Sequence, residues 1–150
     1  MQVYEMTVQY HLVRNGTAQP LTSPGKVVEY MQGAFADAPT VESVWVIALT
    51  AKYRPLARTK ITSGTLTASL VHPREVFRVA LLTSAAKIVL VHNHPAGDPE
   101  PSREDGWVTR LMRDAAKIMQ VDLVDHVIIG TKEDDPTGLG YFSFLEAGRL

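Results

Sequence analysis

The 150-residue chain contains no cysteine. That excludes disulfides and every thiolate-held metal, and it fits a cytoplasmic protein. Any metal must therefore be held by His, Asp or Glu. Nor does either sign of charge prevail, since 15 Lys and Arg stand against 16 Asp and Glu for a net charge of −1. Nucleic-acid binders usually gather a basic surplus on one face, whereas here basic residues such as Arg54, Arg74, Arg103 and Arg113 are scattered, so the charge gives DNA or RNA binding no support. There is no apolar run of about 18 residues, so no membrane-crossing helix is expected. The first six residues lack a basic stretch followed by an apolar one, so no secretory leader is expected. Apolar residues make up 45% of the chain, enough to fill the core of a single domain over residues 1–150.

Several segments carry clear local signals. Residues 3–14 alternate loosely and reach Asn15-Gly16, predicting an N-terminal strand or hairpin within residues 1–20. Ser23-Pro24 reads as a helix start, with Val27, Val28, Met31, Ala34 and Phe35 as its apolar stripe. The run Val41–Thr50 predicts a strand buried on both faces. A second strand follows over about 56–61, Gly64 marks a break, and 65–70 reads as a third short strand. His72-Pro73 opens another helix, and Ala86–Val91 is a second buried strand running into His92-Asn93-His94. Beyond the proline-rich 95–101 stretch, a helix is expected from about Arg103 to Met119, with Trp107, Val108, Leu111, Met112, Ala115, Ile118 and Met119 on one face. Strands at Val121–Ile129 and Tyr141–Phe144 complete the chain, separated by an acidic Gly/Pro-containing loop. Alternating strands and helices indicate an α/β sheet with helices packed on it, and ligands of such sheets gather at strand carboxyl ends.

His92 and His94 lie at such an end. Residues i and i+2 of an extended backbone point to one side, so both imidazoles can address one metal ion. Ser102-Arg103-Glu104-Asp105 has the form of a capping box with Asp in place of Glu, and side chains in a first helical turn lean back toward the helix start. Asp105 can thus supply a third ligand. Three protein ligands leave a tetrahedral position for water, the layout of a catalytic rather than a closed structural zinc site. A hydrolase also needs a general base and an oxyanion donor. Glu42, at the start of the first buried strand, is assigned the first role and Ser102 the second. Glu75, early in a helix, has a structural reading through the helix dipole. His72 reads as a turn residue, Trp45 and Trp107 as core. Asp125 and His126 read as ordinary turn and core residues ahead of a role supporting the metal ligands from behind.

The stretch His92-Asn93-His94-Pro95-Ala96-Gly97-Asp98-Pro99-Glu100-Pro101-Ser102-Arg103-Glu104-Asp105 resembles the JAMM motif in the form found in RadC-like JAB/MPN proteins. The resemblance covers about residues 22–148 and includes Gly64-Thr65-Leu66, Val71–Phe77, Leu123–Gly130 and Tyr141–Phe144. It implies a cytidine-deaminase-like α/β/α sandwich with a mixed central sheet and one Zn2+ held by His92, His94 and Asp105. It also implies that Ser102 steadies the oxyanion and that Glu42 is the base. The implied reaction is hydrolysis of a peptide or isopeptide bond, with a peptide or protein substrate, ubiquitin-like proteins included. Asn93 stands where many JAMM enzymes have Ser or Thr, and Lys132–Leu139 is longer and more acidic than the usual turn. About 20 residues precede the resemblance, and they read as a strand rather than as the helical region with which full-length RadC proteins begin. The alternative functions are a zinc-binding module without turnover and the DNA-repair association that the family label carries. Nucleobase deamination is excluded, because zinc deaminases use H-x-E with P-C-x-x-C and this chain has neither.

Overall fold

The computed structural model describes residues 1–5, 7, 9–12, 19–64 and 71–150. Its elements are α1 (Pro24–Tyr30), β1 (Ser43–Leu49), β2 (Pro55–Ser63), α2 (Pro73–Leu82), β3 (Lys87–Asn93), α3 (Arg103–Met119), β4 (Asp122–Ile129) and β5 (Tyr141–Ser143). They form one mixed sheet in the order β2-β1-β3-β4-β5, in which only β3 and β4 run parallel. The parallel pair needs a crossover connection, and α3 supplies it.

The two apolar runs of the sequence, β1 and β3, sit side by side in the middle of the sheet. Alternation divides their side chains between two cores. Val44, Val46, Ala48, Ile88 and Leu90 pack with α2 and α3. Ile47, Leu49, Val89 and Val91 pack with Val27, Met31 and Ala34 of the α1 side. The result is an α/β/α arrangement with helices on both faces. His92 continues the parity of Ile88 and Leu90, so it faces α3. Because β1 and β3 are antiparallel with Val44 opposite His92, the residue entering β1 lies beside the residues leaving β3. That pairing brings Glu42 to the histidines.

Three sequence expectations are corrected. The strand over 3–14 is absent among its described residues. Val3, Tyr4 and Leu12 are 80–86% exposed, and a ribbon that buries no apolar face gains too little to hold together; residues 6, 8 and 13–18 lie outside the described residues, as does the expected strand at 65–70. Helix α1 ends at Tyr30, and Ser23 takes the N-cap position without a side-chain cap bond. The buried stripe of α3 is Asp105, Val108, Thr109, Met112 and Ala116, while Trp107 and Ile118 are 43% and 83% exposed. Trp45 stands edge-on to Phe35, as a residue at the rim of the α1-side core.

Candidate metal centre

Asp105 is placed by the start of its helix. Ser102 is the N-cap of α3, and its Oγ accepts a 3.1 Å hydrogen bond from the Asp105 amide, while Asp105 Oδ2 accepts one of 2.7 Å from the Ser102 amide. This reciprocal box fixes the carboxylate back over the first turn. Its Oδ1 then lies 3.1 Å from His92 Nε2, and Oδ2 lies 3.5 Å from His94 Nε2. The two Nε2 atoms are 3.1 Å apart.

Each imidazole is anchored through its other nitrogen. His94 Nδ1 lies 2.9 Å from the Asp98 carbonyl oxygen, and His92 Nδ1 lies 2.8 Å from His126 Nε2. The loop presenting Asp98 is seated on the end of β4, where the amides of His94 and Thr131 donate to the carbonyls of Ile129 and Gly97 at 2.8 Å each. The seat is tight enough to need glycine, because a Cβ at Gly130 would stand 2.0 Å from the Gly97 carbonyl oxygen. The acidic 132–139 loop closes locally, with buried Asp135 accepting from the Thr137 and Gly140 amides at 2.8 and 2.7 Å.

Glu42 completes the group: one ligand atom each from Glu42, His92, His94 and Asp105 lies within 4.8 Å of the others. Its backbone is held on both sides by the residue between the histidines. Asn93 Oδ1 accepts from the Ser43 amide at 2.8 Å, and Asn93 Nδ2 donates to the Val41 carbonyl at 3.2 Å. The Gly64 amide donates to the Glu42 carbonyl at 2.7 Å. Asn93 is therefore the strap that ties the start of β1 to the end of β3, a role invisible without knowing that the two strands are neighbours.

The electrostatics favour a cation. Burial works against the Asp105 carboxylate, but the hydrogen bonds with His92 and His94 outweigh it and hold its pKa well below the usual range. Burial likewise opposes charge on His94, yet its contacts with Asp105 and the Asp98 carbonyl push its pKa up. Burial drives His126 far below the ordinary histidine range, with His92 adding to the effect. The donor set of two imidazoles and a carboxylate suits zinc and related divalent ions. Two nitrogens bound tetrahedrally at about 2.0–2.1 Å stand roughly 3.3–3.4 Å apart, close to the 3.1 Å seen here. The site is also partly open, since the His94 side chain is 18% exposed while His92 and Asp105 are sealed. A cleft of about 410 Å³ runs past His94, lined by Met31, Phe35, Pro39, Asn93 and Ile129 among others.

The structure thus brings His92, His94, Asp105 and Glu42 together and seats Ser102 at the helix start beside them. Glu75 lies away from them on α2, paired with Arg74 and Arg78, and exposed His72 occupies the N-cap position of that helix. Asp125 is structural: it accepts from Ser143 Oγ at 2.6 Å and from the Leu145 amide at 3.0 Å, tying down the chain after β5. His126 is the residue that sequence reasoning undervalued.

The profile of the family described as RadC-like JAB domain matches residues 21–149. The chain is 43% identical over 148 residues to a UPF0758 protein of Chlorobium phaeovibrioides, covering 99% of this chain and 62% of that protein. It is 42% identical over 148 residues to a UPF0758 protein of Chlorobaculum tepidum, covering 63% of it. A UPF0758 protein of Symbiobacterium thermophilum shares 40% identity over 145 residues, 93% of this chain and 58% of its own length. The chain therefore spans about three fifths of the length of these curated relatives.

Proposed function

The chain belongs to the RadC-like JAB domain family, and from that premise we propose that it is a zinc-dependent hydrolase of peptide or isopeptide bonds. The observation that carries the reading is the convergence of Glu42, His92, His94 and Asp105 within 4.8 Å at one solvent-reached edge. His92, His94 and Asp105 hold the metal. When bound, zinc lowers the pKa of a coordinated water and polarises a carbonyl.

The remaining work falls to the chain's own residues. Glu42 accepts the proton of the attacking water and returns it to the leaving nitrogen as the C–N bond breaks. Asn93 keeps Glu42 in place through the backbone on either side of it. The Ser102 hydroxyl, which accepts from the Asp105 amide, turns its proton to the oxyanion that develops on the carbonyl oxygen. The cleft beside His94 gives an extended peptide a mostly apolar bed, in keeping with a peptide or protein substrate, a ubiquitin-like tail among them.

The test is turnover of fluorogenic peptide and isopeptide-linked substrates by zinc-loaded protein, compared with Glu42→Gln. The wild type should cleave, and the variant should keep its zinc while losing about 10²–10⁴-fold in rate. Equal rates in the two proteins would remove Glu42 as base. No cleavage by zinc-loaded wild type across the panel would favour a zinc-binding module of the same fold.

A further inference from the structure

Behind the metal ligands lies a closed ring of contacts that the hydrolase reading does not use. Thr109, one turn beyond Asp105 on α3, has its hydroxyl 2.7 Å from the Asp105 carbonyl oxygen and 2.6 Å from His126 Nδ1. His126 Nε2 is 2.8 Å from His92 Nδ1, and His92 Nε2 is 3.1 Å from the Asp105 carboxylate. Thr109, His126, His92 and Asp105 are all at most 1% exposed, so their partners are one another rather than bulk solvent.

We propose that Thr109 and His126 are positioning residues that set the tautomer of His92, holding its proton on Nδ1 so that the Nε2 lone pair faces the metal. The direction of every bond follows from one carbonyl. Asp105 O can only accept, so the single Thr109 proton goes to it. The Thr109 oxygen then accepts from His126 Nδ1–H. A neutral His126 protonated at Nδ1 has its lone pair at Nε2, where it accepts from His92 Nδ1–H. The reverse order would leave the Thr109 and Asp105 oxygens 2.7 Å apart with no proton between them. At His94 the same service is rendered directly by the Asp98 carbonyl. His126 itself is fixed by stacking on Phe144, with ring centroids 4.9 Å apart and planes 7° from parallel. Its own carbonyl accepts from the Phe144 amide at 3.0 Å. The turn beyond the last strand thereby supports His92 through His126.

The inference rests on the metal reading, and its test separates the two. In the full chain labelled with ¹⁵N-histidine, long-range ¹H–¹⁵N spectra should show His92 and His126 each protonated at Nδ1, with and without added zinc chloride. Zinc affinity is then measured by competition with a chromogenic chelator. His126→Phe keeps the stacking but offers no acceptor, and should weaken binding about 10–100-fold. His126→Gln, whose Oε1 can take the place of Nε2, should recover most of that loss, and Thr109→Val should move the His126 proton off Nδ1. A wild-type His92 protonated at Nε2 would overturn the relay, as would a folded His126→Phe protein binding zinc like wild type. A wild type that bound no zinc would overturn the metal reading instead, while the tautomer spectra would still decide the relay. Should His126→Phe fail to fold, the wild-type spectra and the Gln variant carry the decision.

Discussion

Asn93→Ala separates the stability of the centre from its chemistry. Asn93 and Ser43 are 6% and 5% exposed, and the Asn93 side chain is the acceptor for the Ser43 amide at 2.8 Å. Truncation leaves that buried N–H without a partner, at a cost of about 1–3 kcal/mol. The Val41 carbonyl on the other arm of the strap belongs to an exposed residue and can turn to water, so it adds little. For a chain of this size each kcal/mol moves the melting temperature by about 2–4 °C. The proposed metal ligands are tied elsewhere, by His126, by the Asp98 carbonyl and by the α3 cap, so zinc content should stay at the wild-type level. The two Asn93 bonds that flank Glu42 are lost while its Gly64 tether remains, and turnover should fall. Urea unfolding, zinc content and peptide cleavage measured on one preparation form the assay. A variant as stable as wild type, or one that loses zinc while its turnover per bound zinc is unchanged, would refute this account of the strap.

Three further outcomes follow from particular contacts. Gly130→Ala forces a Cβ against the Gly97 carbonyl, so the loop presenting Asp98 must shift; a loss of about 1–3 kcal/mol in urea unfolding is expected, with weaker zinc retention, and wild-type values for both would contradict the tight seat. Met112→Ala, at a fully buried position of α3, should cost about 2–5 kcal/mol, whereas Trp107→Ala on the same helix should cost far less, and thermal melts of the two variants rank them. In metal-free protein, His94 has a raised pKa, so its contribution to stability is complete below its unfolded value of about 6.5 and is lost as pH rises through the folded value. Asp105, with a lowered pKa, contributes fully above about 3.9 and loses that contribution as pH falls. The chelator-treated protein should therefore lose stability as pH rises past about 6.5 through His94, while the extra stability conferred by zinc should grow in the same direction because metal and proton compete for His94. A His94→Gln protein showing the same pH slope as wild type would assign the effect to other groups.

Most of the sheet and the meeting of His92, His94 and Asp105 were legible in the sequence, because each rests on local rules. The β-branched runs at Val44–Leu49 and Ile88–Val91 specify buried strands, and Ser102 with Asp105 specifies both a helix start and the aim of a carboxylate. The failures share one physical cause. Reading α3 by its apolar residues turned the buried stripe toward Trp107 and Ile118, because the face that meets the site carries Asp105 and Thr109, and polar residues on a helix normally signal solvent. His126 likewise looked like a core residue until the parallel register set it opposite Leu90 in the neighbouring strand, within reach of His92. Asn93 acquires meaning only through the antiparallel pairing of β1 with β3. Local signals located the His92–His94–Asp105 group; long-range pairing decided what stands behind it.

The central claim is that His92, His94 and Asp105 form a zinc centre. Its most direct test is elemental mass spectrometry of protein purified without chelator, for the wild type and for His94→Ala. The account predicts about one zinc per wild-type chain, as expected for a single three-ligand site, and loss of that metal in a variant that remains folded. A wild type that takes up no zinc, even when zinc is supplied at neutral pH, would contradict it.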